Sequence, residues 1–225
     1  MFSKWLFRLP VLSGAAFAIV SFARGGGDDS APTASSTGEQ IAVYAYHHGL
    51  PNSTYHVELW AFLALMVFSV VMYSRLRPAE PEGSIAARLV VAACVVSVAI
   101  KLASFPAVYA LYSSPSQQSP DVARALWTLG DFAWVVTMLV QALSMGAVSA
   151  SGLLYGGMPR WLAGTAGVIA VALVVGYIIG GNAQIVPTLG WMLWLLVASI
   201  AWFVSGPRAV AERRPAPSTL SPRTV

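Results

Sequence analysis

Six long apolar runs, at about residues 5–23, 55–74, 86–112, 123–154, 161–181 and 186–205, constrain this chain more than any other feature. A helix needs about 20 apolar residues to cross ~30 Å of hydrocarbon, so six such runs in 225 residues leave room only for short connections. The expected fold is therefore all-α: a polytopic transmembrane helical bundle of six spans. Composition agrees, with 57% hydrophobic and 10% charged residues against roughly a quarter charged in ordinary soluble domains. Breaks fall where turn chemistry predicts them: Gly25-Gly26-Gly27, Arg75 to Gly83, Ser113 to Pro120, Gly156 to Pro159 and Gly180-Gly181-Asn182. Residues 1–207 form one bundle with an outer loop at 24–54, and the Pro-, Arg-, Ser- and Thr-rich segment 208–225 reads as a disordered basic cytoplasmic tail.

Positive residues set the expected orientation, because cytoplasmic ends collect Lys and Arg. Lys4, Arg8, Arg75, Arg77, Arg88, Arg160, Arg208, Arg213, Arg214 and Arg223 fall on one side; Arg24 and Arg124 fall on the other, with Asp28, Asp29, Glu39 and Asp121. Both termini are then cytoplasmic, as in a multi-pass protein of the bacterial inner membrane. The first run also fits a secretory signal, with Lys4 and Arg8 before an apolar stretch and Ser21-Phe22-Ala23 before Arg24; cleavage there would leave five spans. Trp5, Trp60, Tyr73, Tyr112, Trp127, Tyr155, Trp161 and Trp191 lie near span ends and fit interfacial belts, whereas Trp134 and Trp194 lie deeper, as packing residues do.

Two opposite charges, Lys101 and Asp131, interrupt spans three and four. An intramembrane charge normally has a partner, a cavity or a function. Counted inward from Tyr112 and Asp121, the two lie at nearly equal depth, where adjacent antiparallel helices would bring them together. Cys94, Ser97, Lys101 and Ser104 share one helical face, and Thr137, Gln141 and Ser144 form a second polar stripe on span four. Pro106 cannot donate to the Leu102 carbonyl, one residue from Lys101. Two readings stay open. Either Lys101 and Asp131 form a structural ion pair among hydrogen-bonding glue, or Lys101, Asp131, Ser97, Ser104, Gln141 and Glu58 form a ligand site or proton relay with Asp131 as carrier.

Ala142, Gly146 and Ala150 repeat every four residues on span four, as do Gly176 and Gly180 on span five, and predict close helix contacts. His47, His48, His56 and Glu58 have zinc-compatible chemistry, but their spacing does not converge on one point, so neither a metal nor a cofactor is expected. The single cysteine, Cys94, excludes an intramolecular disulfide. No GxSxG elbow, P-loop, HExxH or glycine-rich dinucleotide fingerprint is present, and the basic residues flank apolar runs instead of forming a nucleic-acid patch.

Several short segments resemble an uncharacterised family of bacterial six-helix integral membrane proteins: Gly38-Glu39-Gln40 through Tyr44-Ala45-Tyr46-His47-His48, Leu129-Gly130-Asp131, and Gly157-Met158-Pro159-Arg160-Trp161-Leu162. The resemblance implies a fold and a membrane location, and no catalytic residues. The sequence thus points to a non-enzymatic membrane protein that binds a partner, a lipid or a small ligand in the outer half of its bundle. Its surroundings are the lipid bilayer and either a membrane-protein partner or a homo-oligomer. The alternative is a small proton-coupled secondary transporter using Lys101 and Asp131; an enzyme with an outer His/Glu site comes third.

Overall fold

The computed structural model describes residues 9–24, 31–48 and 52–205, without the side chains of 24 and 52–56. Among these residues the chain is helical, with no strand and seven α-helices: α1 (Ser13–Arg24), α2 (Gly38–His48), α3 (Asn52–Leu76), α4 (Ala86–Ser113), α5 (Pro120–Leu154), α6 (Arg160–Ile179) and α7 (Ile185–Ser205). Five segments are long and apolar enough to cross a membrane: Val57–Ala79, Ala86–Ser113, Pro120–Leu154, Arg160–Ile179 and Gly181–Ser205. The apolar stretch Leu9–Ala23, which contains α1, is shorter. Residues 1–8 and the tail at 208–225 lie outside the described residues.

Local chemistry explains several boundaries. Ser119 caps α5 by accepting from the Val122 N–H at 3.4 Å, with Pro120 at the first helical position and Asp121 in the first turn, where a negative charge complements the helix dipole. Gly156 and Gly157 both have positive φ, 89° and 87°, which lets the chain reverse tightly between α5 and α6. The expected outer loop at 24–54 is partly helical. Thr37 and Gln40 start α2 with a reciprocal capping box: Thr37 Oγ1 accepts from the Gln40 N–H at 3.2 Å, and Gln40 Oε1 accepts from the Thr37 N–H at 2.8 Å.

The helices pack in a closed sequence around the core. α1 lies against both α3 and α7, and α3–α4, α4–α5, α5–α6 and α6–α7 are successive neighbours. Phe17 of α1 is buried between Phe62 and Trp191, with ring centroids at 5.9 and 5.3 Å, so α1 supplies core where α3 and α7 face each other. Trp191 is therefore a core residue and not part of an interfacial belt. Trp194 is buried as well and donates to the Leu162 carbonyl at 3.0 Å, which satisfies its indole N–H.

α2 does not join the ring. It packs on α5 and, less extensively, on α4, where Ile41, Ala45, Leu111 and Ala123 form a small separate core. Gly38 makes this docking possible, because a Cβ there would overlap the Pro120 carbonyl oxygen.

Candidate functional site

Helix length decides where the charged residues lie. The 20 residues of α6 span ~30 Å, the thickness of a bilayer's hydrocarbon, whereas the 35 residues of α5 span ~52 Å. The two run side by side at their inner ends: a Cβ on Gly152 would meet Ala163 at 2.6 Å, and one on Gly167 would meet Ser149 Oγ at 2.6 Å. Stepping along the helices from these contacts, Ile179 reaches the level of about residue 137, so roughly 17 residues of α5, ~25 Å, extend past that end of α6. This overhang is what α2 covers.

Lys101 sits at the root of the overhang. Its ammonium lies 5.4 Å from the centroid of the Trp134 ring, a cation–π contact, and 3.8 Å from Glu58 Oε1. The ion pair links α4 to α3, and its side chains are 14% and 22% exposed. Sequence depth alone suggested Asp131 as the partner. Gly130, however, packs on Val108, where a Cβ would come within 2.8 Å of Cγ2, and this register sets Asp131 ~9 Å outward of Lys101 along the helix axis. The Asp131 side chain is exposed, close enough for the Lys101 charge to act on it. Lys101 lies level with the Ile179 end of α6, and Asp131 lies beyond that level.

Of the other expected site residues, Ser97 and Gln141 lie about a turn to the far side of Lys101 from Asp131, Ser104 lies between the two charges, and all three are buried. Ser104 donates to the Lys101 carbonyl at 2.7 Å, and Thr137 to that of Ala133 at 2.8 Å. Ser97 Oγ and Gln141 Nε2 are buried and have no hydrogen-bond partner among the described residues. Cys94 Sγ approaches the Leu65 carbonyl at 3.6 Å. His48 stacks on Tyr44 at 4.0 Å and its Nδ1 lies 3.0 Å from the Tyr44 carbonyl, while His47 meets Tyr46 edge-on. The His56 side chain lies outside the described residues. Among the described residues, no three His, Cys, Asp or Glu side chains gather as a metal would need.

Sequence reasoning missed Glu80. This buried loop carboxylate accepts at Oε1 from the Ala87 N–H at 2.8 Å and from Ser151 Oγ at 2.6 Å, tying the start of α4 to the inner end of α5. Its Oε2 is buried without a hydrogen-bond partner among the described residues. Nothing in the Pro78-Ala79-Glu80-Pro81-Glu82 stretch distinguishes this acid from its neighbour Glu82, because its partners lie seven and 71 residues away.

The outward side of the overhang carries the other notable surface. Val122, Ala125, Leu129 and Phe132 fall on one helical stripe of α5, all exposed, with Asp121, Arg124, Thr128 and Asp131 along its edge. Comparison of the chain with protein-family models, with curated proteins and with solved structures returned no match.

Proposed function

We propose that this multi-pass protein is a non-enzymatic binding protein of the bacterial inner membrane, with both termini cytoplasmic, and that its outer overhang receives a partner. The observation that carries the reading is the exposed Val122–Ala125–Leu129–Phe132 stripe beyond the outer end of α6, edged by Arg124 and the Asp131 carboxylate. Large apolar side chains held outside the hydrocarbon mark an interaction surface. The partner that fits is a membrane-protein helix standing alongside α5, with apolar residues against the stripe and a basic residue near Asp131. In this reading the Lys101–Glu58–Trp134 cluster anchors the overhang to α3. Kinship with the uncharacterised six-helix family is part of the same proposal.

A photo-crosslinking residue at Leu129, with an equivalent at the exposed mid-helix position Val168 as control, tests this. The expected outcome is a discrete heterologous product at 129, reduced several-fold by Asp131→Arg and absent at 168. Equal labelling at the two positions would remove the basis for the proposal. A product of exactly twice the chain's mass would replace the foreign partner with a second copy.

The carrier reading draws on Ser97 Oγ and Gln141 Nε2, two buried polar atoms near Lys101 in sequence depth that have no hydrogen-bond partner among the described residues. Against it, carriers bind near the bilayer midplane between interrupted helices, whereas each of these spans contains an unbroken helix of 20 residues or more. Proton-driven uptake into proteoliposomes, abolished by Asp131→Asn, would restore it.

A further inference from the structure

We infer a binding site for one anionic phospholipid in the cleft between α3 and α4 at the basic end of the bundle. The cleft, ~430 Å³, is lined by Val70 and Tyr73 of α3 and by Arg88, Val91 and Ala92 of α4. Its chemistry is graded along the membrane normal. Arg88 lies two residues inside the start of α4 and Tyr73 three residues before the end of α3, so cation and phenol share the level of the span ends. One turn deeper, Val70 stands below Tyr73, and Val91 and Ala92 below Arg88. A phosphate on the guanidinium and hydroxyl with a hydrocarbon chain against the valines matches that gradient.

Charge complementarity selects the headgroup. Among the described residues Arg88 has no ion-pair partner, and the buried carboxylate of the preceding loop, Glu80, is already bound to the Ala87 N–H and Ser151. Arg75, Arg77 and Arg160 lie at the same end and attract anionic lipid to this leaflet, as basic clusters beside spans do. Among the described residues Arg88 is the only charged one lining the cleft, and a planar guanidinium suits bidentate phosphate binding.

The test uses the full-length protein in mild detergent, with phosphatidylglycerol or phosphatidylcholine of identical chains added and retained lipid counted by native mass spectrometry. The expected result is preferential retention of about one phosphatidylglycerol, weakened roughly tenfold by Arg88→Gln. Val91→Trp, which fills the cleft and leaves the charge in place, is expected to weaken it comparably. Arg160→Gln, at the same end but outside the cleft, should leave it within twofold. Equal losses in Arg88→Gln and Arg160→Gln would reduce the effect to a general basic field and overturn the site, as would equal retention of the two lipids. Persistence of binding in both Arg88→Gln and Val91→Trp would also overturn it.

Discussion

Two residues carry interactions that a single substitution can dissect. Lys101 serves Glu58 and Trp134 at once, and the partial exposure of the ion pair limits its net worth, so a double-mutant cycle of Lys101→Met with Glu58→Leu should give a coupling of about 1 kcal/mol in thermal or denaturant stability. The same cycle with Asp131→Leu should give a smaller coupling than the one with Glu58, because Asp131 lies a turn or more farther along the helix axis and feels the Lys101 charge only at a distance. A larger Lys101–Asp131 coupling would contradict the register read from Gly130 and Val108. Glu80 provides a second test. Glu80→Ala leaves the Ala87 N–H and the Ser151 hydroxyl unpaired in a buried place and should cost about 2–3 kcal/mol, whereas Glu80→Gln retains an acceptor and should cost less. Equal losses would mean that the hydrogen bonds at Oε1 are not what matters there.

At the scale of elements, small residues do two different jobs on α5. The repeat Ala142, Gly146, Ala150 predicts a tight seam, but a Cβ on Gly146 would find only Ala170 at 4.0 Å, and the three residues instead line a groove of ~1060 Å³ shared with α4 and α6. The close approach occurs at Gly152, facing Ala163 and Met158, and where Gly167 faces Ser149. Gly146→Ala should therefore be neutral or stabilising by up to ~1 kcal/mol through helix propensity, and Gly152→Ala should destabilise by about 1–3 kcal/mol through overpacking. Melting temperatures of the two variants check the assignment, and equal shifts would refute it. Spacing reveals that small residues recur; which neighbour they face depends on how α6 crosses α5, and no periodicity within α5 contains that information.

At the scale of the molecule, unequal helix lengths create the outer overhang. A cysteine at Phe132 in a Cys94→Ala background should react readily with a membrane-impermeant maleimide applied from the outer side, while one at Val168 should remain protected. Protection of both would place the upper part of α5 within the bilayer and remove the surface on which the partner is proposed to dock. The ring closed by α1 makes a further prediction. Phe17→Ala should lower stability by about 3–5 kcal/mol, because the vacated space lies between Phe62 and Trp191. No loss in the purified protein would show that α1 does not hold that place in it.

The all-α class and most helix ends were legible in the sequence, because hydrophobic run length and Gly/Pro punctuation are local properties; of the six spans expected, five are long apolar helices, and the first run holds only the shorter stretch Leu9–Ala23. The partner of Lys101, the burial of Trp191, the reach of Glu80 to Ser151 and the depth of Asp131 were decided only in three dimensions. Each depends on the axial offset between helices of different length, and that offset is set by close contacts such as Gly152 on Ala163 and Gly130 on Val108. Sequence distance from a helix end becomes depth only when neighbouring helices end together, and here α5 runs roughly 17 residues past α6.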